Sequence, residues 1–346
     1  MKHQQLNLFG EPADPRKGLR GPQRPKGPVG PAAVDADLQR VGERLPANLR
    51  LGTSSWSFPG WHGLVYDCAA KSGRLAREGL AAYARHPLLR AVGIDRTFYA
   101  PITAEAFAGY AAAVPDDFRF LVKASSLCSS PSLRGERGRS GERNDRFLDA
   151  AFATDEVVGP FVEGLGAKAG PLLFQFPPLG TPLQREPERF ALMLGSFLGE
   201  LPRGPQYAVE LRDRGLLCDD YFAALEQAGA THCYSVHPRM ESVPAQRRAG
   251  RADEGGPLVV RWMLNGALEY GQAVERYEPF SHLVDEDPVS RGTLAGMCAG
   301  AARKGRDVVV IANNKAEGSA PLTIFELARS IADRLEAADA APAGLG

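Results

Sequence analysis

Eight short apolar runs recur along the chain, each with polar or charged residues at or near its end. They occupy residues 49–56, 91–99, 118–123, 170–178, 206–212, 231–237, 256–263 and 307–314. Helix signals lie between them, since Thr103 can cap one helix and Pro321 can open the last. Strands that alternate with helices form a parallel sheet, and eight units without a spare strand favour closure. The pattern therefore predicts an α/β fold, a closed parallel (β/α)8 TIM-type barrel, over residues 49–337.

The two ends of the chain differ in composition from the barrel. Residues 1–48 are rich in proline and glycine, and the stretch 16–26 within them carries five basic residues and no acidic one. A segment of this kind buries too little apolar surface to offset the entropy that it loses on ordering. We therefore predict a disordered N-terminal arm over residues 1–48 and a flexible alanine-rich tail over residues 338–346.

Charge and hydropathy limit the classes of partner. Lysine plus arginine and aspartate plus glutamate both number 41, so the net charge gives no sign of a nucleic-acid or membrane partner. No apolar run approaches the roughly 18 residues of a membrane span, and the N-terminus lacks the apolar core of a signal peptide. We expect a cytoplasmic protein with no membrane partner.

The alternation of side chains along each run locates a candidate site, because successive residues of a strand face opposite sides. On one face, apolar residues give way to polar ones towards the end of the run. These polar residues are Asp95, Lys123, Gln175, Glu210, Arg212, Arg261 and Asn313, with Asn314 directly after. The other face, with Phe174 and Val209, is apolar and must meet the helices. The polar set is therefore predicted to point into the barrel mouth, where barrels of this type hold their active sites.

Five of these residues predict chemistry at the mouth. Glu210 and Asp95 are candidate catalytic carboxylates, with Glu210 as general base or nucleophile. Lys123 is the candidate general acid, or a Schiff-base amine if burial lowers its pKa. Arg212 and Arg261 carry guanidinium forks that match a carboxylate or a phosphate. Three cations against two carboxylates favour an anionic ligand, although such a polar layer can also serve only to join the strands.

Amides and aromatic rings complete the predicted binding site. Gln175, Asn313 and Asn314 would orient a ligand through hydrogen bonds. Trp56 and Tyr99 follow the first and second strands, and their rings would stack on a base or a sugar. The alternative for these two rings is that they only pack at the barrel rim.

Short motifs lie at the strand ends and in the loops that follow them. They are GTSSW (52–56), PGW (59–61), TFY (97–99), FRFLVKA (118–124), GPLLFQFPP (170–178), AVELRD (208–213), VVRW (259–262) and NNKAEGSAP (313–321). Together they resemble the motifs of the DUF72 proteins, also called the YecE-like family, over about residues 50–335. The resemblance implies a TIM-type barrel in a bacterial protein and implies no established activity.

The chain departs from that family at several positions. Gly93 and Asp95 stand where the family usually has an acidic residue and an asparagine. The family usually carries a Thr-His pair after the strand-three lysine, whereas the loop here reads SSLCSSPSL. Met263 takes the place of a histidine after the strand-seven arginine. His237 is then the one histidine near the mouth, which puts mechanisms built on histidine in doubt.

No cofactor motif accompanies the predicted strands. No Walker A or Rossmann glycine fingerprint follows any of them, and the five cysteines are scattered without a Cys-x-x-Cys pair. A divalent metal held by Asp95, Glu210 and His237 is the alternative, but the neighbouring cations argue against it. We assign no cofactor and no metal.

The arm contains the peptide Gln5-Leu6-Asn7-Leu8-Phe9. It resembles the Gln-Leu-x-Leu-Phe peptide with which bacterial proteins dock on the replication sliding clamp. Such a peptide inserts apolar anchors, here Leu6, Leu8 and Phe9, into a groove while Gln5 fixes its register. The alternative is that these residues pack on the protein's own barrel.

Two functions from different classes follow. The first is an enzyme that acts at the mouth on a substrate bearing a phosphate or a carboxylate, nucleotide-containing substrates included. The second is a non-catalytic binding module or DNA-maintenance accessory that residues 5–9 recruit to the sliding clamp. The enzyme requires Glu210, Lys123 and Arg261 in one cavity, and the module does not.

Overall fold

Eight parallel strands close into a barrel in the computed structural model, which describes residues 27–134, 140–250 and 255–340. The strands are β1 (Leu49–Thr53), β2 (Ala91–Ile94), β3 (Arg119–Lys123), β4 (Ala169–Gln175), β5 (Tyr207–Glu210), β6 (Thr231–Val236), β7 (Leu258–Trp262) and β8 (Val308–Ala312). Each strand pairs with the next in sequence, and β8 pairs with β1. The predicted closed (β/α)8 barrel is confirmed, and every strand lies within one residue of its predicted run.

Helices connect the strands and pack around them. They are α1 (Ala36–Arg44), α2 (Ser72–Tyr83), α3 (Ala104–Ala112), α4 (Ser126–Ser129), α5 (Ala150–Ala153), α6 (Gly159–Leu165), α7 (Thr181–Arg185), α8 (Pro187–Glu200), α9 (Asp219–Ala228), α10 (Val243–Ala249), α11 (Tyr270–Tyr277), α12 (Pro288–Arg303) and α13 (Ala320–Ala340). Short 3₁₀ turns occupy Pro59–Trp61, Arg96–Phe98, Gly166–Lys168 and Arg214–Leu216, and a π-helical turn occupies Thr154–Val158. The loop after β3 contains an antiparallel pair of short strands, Ser132–Arg134 and Ser140–Arg143.

The predicted helix starts are confirmed, and local chemistry explains them. The Thr103 hydroxyl accepts a hydrogen bond from the backbone N–H of Ala106 and so caps α3. Pro321 is the second residue of α13, where a missing backbone N–H costs nothing. At the other end of a helix, Gly229 ends α9 in the left-handed conformation, with φ of 68°.

The apolar side chains form two layers, one on each side of the barrel wall. Phe174 and Val209 belong to the outer layer, which fills the space between strands and helices. A separate cluster fills the barrel interior, with members from seven of the strands. The two clusters confirm the predicted division of each strand into an outer apolar face and an inner face.

Residues 27–48 carry structure that the sequence analysis did not predict. Helix α1 begins after Asp35, whose carboxylate accepts a hydrogen bond from the backbone N–H of Leu38 at 2.8 Å. The helix buries Leu38 and Val41, which lie three residues apart on one face. The prediction of a disordered arm is therefore wrong for this part. Residues 1–26 lie outside the described residues.

The segment before α1 packs against the chain that follows β1. The backbone N–H of Ala32 donates to the carbonyl of Val65 at 2.9 Å, and that of Gly30 donates to the Asp67 carboxylate at 3.0 Å. The carbonyl of Gly27 accepts a hydrogen bond from an arginine in the first turn of α2. Helix α2 connects the end of β1 to the start of β2, so it begins at the end of the barrel where the strands end, which is the mouth. The segment before α1, which contacts this region, therefore lies at the mouth end of the barrel.

Helix α13 continues to Ala340, so the first three residues of the predicted flexible tail are helical. The other residues of that tail, 341–346, lie outside the described residues. In the part of the chain that the structure describes, no helix is long and apolar enough to cross a membrane.

The clamp-docking peptide, residues 5–9, also lies outside the described residues and stays a prediction. Immobilised bacterial sliding clamp should retain the intact chain and should not retain the double variant Leu8→Ala/Phe9→Ala, because a few apolar anchors carry most of the energy of such a contact. Asn7→Ala is the matched control, since Asn7 is at the variable position of the motif. Retention of the double variant, or no retention of the intact chain, would contradict clamp docking.

Candidate active site at the barrel mouth

An apolar layer fills the barrel interior below the polar set. Its buried side chains are those of Ala91, Leu121, Leu173, Ala208, Cys233, Val259, Val309 and Ile311. Two positions further along four of these strands, the same inner face carries Lys123, Gln175, Glu210 and Arg261. Strand pairing aligns Gln175 with Glu210, and it aligns Ser235 with Arg261. The structure places these residues at one end of the barrel, as the alternation predicted.

Glu210, the last residue of β5, is the centre of a buried hydrogen-bonded network. Its Oε2 accepts from Nη1 of Arg261 at 2.6 Å. Its Oε1 accepts from the Ser235 hydroxyl at 2.9 Å and forms an ion pair with Nη2 of Arg212, at 2.5 Å. Nη1 of Arg212 also donates to the Ser235 hydroxyl, at 2.9 Å. Glu210 is 0% exposed, so these bonds compensate the loss of solvent around its charge.

Arg261 links the buried network to a more exposed carboxylate, that of Asp95. Its Nη2 donates to both carboxylate oxygens of Asp95, at 2.9 and 2.8 Å. The Asp95 side chain is 31% exposed, against 1% for that of Arg261. Asp95 precedes the 3₁₀ turn Arg96–Phe98, and its side chain makes no capping bond to that turn. Within the described ranges, Arg261 is therefore its one hydrogen-bonding partner.

The charges in the network shift the pKa values of its members. Burial raises the pKa of Glu210, but Arg212 and Arg261 outweigh burial and lower it to about 2. Burial lowers the pKa of Arg261, but Asp95 and Glu210 outweigh it and raise that pKa above its usual value. Glu210 and Arg261 therefore both stay ionised at neutral pH. A carboxylate with so low a pKa is a weak base.

Lys123, the last residue of β3, differs from the arginines because it has no carboxylate partner among the described residues. Its ammonium lies 3.4 Å from the centroid of the Phe98 ring, a cation–π contact. Burial, together with Arg261, lowers the pKa of Lys123 to about 8, and Asp95 and Glu210 oppose this only in part. A buried amine of this kind can transfer a proton or attack a carbonyl carbon at near-neutral pH.

Two of the predicted amide residues hold the loop after β8 in place. The Asn313 amide donates to the Ser54 hydroxyl at 2.8 Å and so joins that loop to the end of β1. The side-chain Oδ1 of Asn314 accepts from the Trp61 indole at 3.2 Å and from the backbone N–H of Ala320 at 2.8 Å. These bonds give both residues a structural task at the rim, in addition to the predicted ligand contact.

The other three predicted binding residues differ in accessibility. Gln175 is buried beside the network, and its side chain has no hydrogen-bond partner within the described ranges. Tyr99 is 70% exposed and forms a T-shaped ring pair with Phe98, so much of its ring is open to a ligand. Trp56 is buried with its ring edge-on against Tyr110 of α3, at 5.3 Å between centroids. The structure thus places Trp56 in the packing of the outer helices and not with the polar set at the mouth.

Three further residues belong to the site although the sequence analysis did not select them as candidates. Ser235 lies on the inner face of β6, and the alternation that selected the others could have found it. Phe98 and Lys315 lie in loops, where no periodic signal marks them. The Lys315 ammonium lies 4.4 Å from the Tyr270 ring centroid. Burial lowers the pKa of Lys315 and Asp95 opposes this, so the two charges lie within Coulombic range.

The metal alternative rested on Asp95, Glu210 and His237. Among residues 27–134, 140–250 and 255–340, no three His, Cys, Asp or Glu side chains are grouped as a metal site. Nδ1 of His237 accepts a hydrogen bond from the backbone N–H of Arg239, and burial followed by Arg212 lowers the pKa of His237 to about 4. Arginines face both oxygens of Glu210 and both oxygens of Asp95, so the two carboxylates of this alternative are engaged in ion pairs.

A closed parallel barrel with an ion-paired polar mouth defines the class of the protein, a (β/α)8-barrel protein. The chain matches the family described as "Protein of unknown function DUF72" over residues 50–344, and it belongs to that family. The resemblance drawn from the sequence motifs is thereby confirmed.

Two solved structures of the same family share the fold. A DUF72 family protein from Thermotoga maritima MSB8 matches with a TM-score of 0.56 and 20% identity, over 83% of this chain and 99% of that chain. A DUF72 family protein from Enterococcus faecalis V583 matches with a TM-score of 0.54 and 19% identity, over 82% of this chain and 95% of that chain. At such identities the likeness shows the fold alone. No curated protein matches the chain.

Proposed function

We propose that this protein is an enzyme that acts on an anionic small molecule, one bearing a phosphate or a carboxylate, at the barrel mouth. The observation that carries the proposal is Lys123, a buried amine without a carboxylate partner in the described part of the chain, beside an ion-paired network. Four cations and two carboxylates lie at the mouth, namely Lys123, Arg212, Arg261 and Lys315 with Asp95 and Glu210. An excess of positive charge of this kind favours an anionic ligand.

The proposal assigns different roles to the charged residues. Lys123 transfers a proton or attacks a carbonyl carbon, because its lowered pKa makes the neutral amine accessible. Glu210 positions the guanidinium groups of Arg212 and Arg261, since each of its oxygens forms an ion pair with one of them. This positioning role is favoured over the base or nucleophile predicted from the sequence, for which a pKa of about 2 is poorly suited.

Two binding residues extend the site towards the solvent. The amide of Gln175, which has no hydrogen-bond partner among the described residues, is available to orient the ligand. The exposed ring of Tyr99 is available to stack on a planar group. Substrates that contain a nucleotide are therefore included in the proposal. The alternative accessory, recruited through residues 5–9, would need neither Lys123 nor these contacts.

The test combines a ligand screen with one substitution at the mouth. A library of phosphorylated and carboxylated metabolites, read by thermal shift, should yield a ligand that stabilises the protein by about 2.7 kcal/mol at a hundred times its Kd. Lys123→Met should keep the fold, because burial penalises the ammonium, and should abolish turnover of that ligand. Turnover through the neutral amine should also rise with pH and level off above about 8.

Arg303→Gln is the matched control, since it removes one positive charge from an exposed residue at the C-terminal end of α12. Its turnover should equal that of the unsubstituted protein. A screen without any anionic ligand, or equal turnover by Lys123→Met, would defeat the enzyme proposal and favour the binding module.

A further inference from the structure

The network at the mouth has a fixed inner part and an outer part with few restraints. Glu210 accepts hydrogen bonds from Ser235 and Arg261, forms an ion pair with Arg212 and is fully buried. The Asp95 carboxylate has Arg261 as its one hydrogen-bonding partner among the described residues, and the side chain is 31% exposed. Since water already reaches part of the Asp95 carboxylate, this group can leave Arg261 and regain its hydration more readily than the buried Glu210 carboxylate can. Asp95 is thus the carboxylate of the network that another anion can replace as the partner of Arg261.

The place that Asp95 occupies carries more positive charge than one carboxylate balances. Arg261 donates to both Asp95 oxygens, and the ammonium groups of Lys123 and Lys315 lie within Coulombic range of the same carboxylate. A carboxylate offers two oxygens and one negative charge. A phosphoryl group offers three oxygens and nearly two negative charges at neutral pH, and guanidinium forks bind it as they bind a carboxylate.

We propose that Asp95 is an internal stand-in for the substrate's phosphoryl group, and that a phosphate monoester displaces it from Arg261 on binding. This inference rests on the proposed function and names its substrate class. The bound phosphoryl group takes the hydrogen bonds of Arg261 that Asp95 now accepts, with Lys123 and Lys315 as its further cationic contacts. The displaced Asp95 carboxylate turns to the solvent, which its place in the loop after β2 permits.

If Asp95 is displaced, its substitution should strengthen phosphate binding, whereas the substitution of a residue that contacts the ligand weakens binding. In the complex, Asp95 would be a competitor for Arg261 and a negative charge beside a bound dianion. Asp95→Asn removes both effects and should strengthen phosphate binding. If Asp95 instead contacted the substrate or served as a base, the same substitution would weaken binding or leave it unchanged.

The experiment measures binding of inorganic phosphate and of glycerol phosphate to the full chain by calorimetry at low ionic strength. Asp95→Asn should bind both at least about tenfold more tightly than the unsubstituted protein, since the repulsion between neighbouring charges is of that order in a partly buried site. The matched control is Asp116→Asn, an exposed aspartate before β3 at the opposite end of the barrel, and it should bind as the unsubstituted protein does.

A second variant keeps the test decisive if Asp95→Asn does not fold. Lys315→Met removes a cation of the loop after β8 whose charge Asp95 stabilises, and it should weaken phosphate binding several-fold. Unchanged binding in Lys315→Met, or equal or weaker binding in Asp95→Asn, overturns the inference. If the metabolite screen yields a carboxylate substrate while phosphate binds to no variant, this inference fails and the proposed function stands. If no anion binds at all, both fail.

Discussion

Glu210→Gln is expected to lower the free energy of unfolding by about 3–5 kcal/mol, the usual cost of breaking a buried ion pair on one side. The substitution leaves Arg212 without its carboxylate partner and leaves Arg261 with Asp95 alone. Urea denaturation followed by circular dichroism measures the change. Glu186→Gln is the matched control, because Glu186 pairs with Arg189 on the surface, and it should cost less than about 1 kcal/mol.

The pH dependence of stability provides a second readout of the same prediction. The pKa of Glu210 in the folded protein is about 2, below its ordinary value of 4.5. Its contribution to stability is therefore complete above about 4.5 and is lost as the pH falls towards 2. The Glu210→Gln variant should lack this loss. An unfolding free energy of Glu210→Gln within 1 kcal/mol of the unsubstituted protein would mean that the network does not stabilise the barrel.

Gly52→Ala is expected to prevent the barrel from closing. Gly52 of β1 pairs with Ala91 of β2, and a Cβ atom at Gly52 would lie 1.8 Å from the carbonyl oxygen of Ala91. Because that oxygen belongs to the backbone of the neighbouring strand, no side-chain rotation relieves the overlap. We expect a loss of more than about 4 kcal/mol, visible as an insoluble or non-cooperatively melting protein.

Gly109→Ala is the matched control for that substitution. Gly109 lies inside α3, and a Cβ atom there would meet nothing within 4 Å. The free energy of unfolding should rise by about 0.5–1 kcal/mol, because alanine loses less conformational entropy than glycine on folding. Cooperative melting of Gly52→Ala near the temperature of the unsubstituted protein would show that β1 and β2 separate at little cost.

The barrel and the direction of its mouth residues could be predicted because they depend on local periodicity. A period of two along each strand separates Glu210 from Val209 whatever the rest of the chain does. The run of eight such strands then selects a closed sheet. The period does not predict which side chains pair across the strands, for example the two hydrogen bonds that Arg261 donates to Asp95.

The misses have separate physical causes. Helix α1 was overlooked because its proline-rich and glycine-rich surroundings dominated the composition, although Leu38 and Val41 carry a helical spacing. Trp56 was predicted either to stack on a ligand or to pack at the rim, and its ring packs against Tyr110 of α3. Lys315 lies in a loop, so no repeat distinguishes it from an exposed lysine.

The hydrogen bonds of Gly27, Gly30 and Ala32 determine where the N-terminal arm leaves the barrel. They attach residues 27–32 beside the chain after β1, at the mouth end of the barrel. If residues 5–9 dock on a sliding clamp, the chain that joins them to Gly27 would tether the clamp to the end of the barrel at which ligands reach Lys123. A bound clamp would then occupy space near the mouth, so clamp binding would reduce the access of ligands to Lys123.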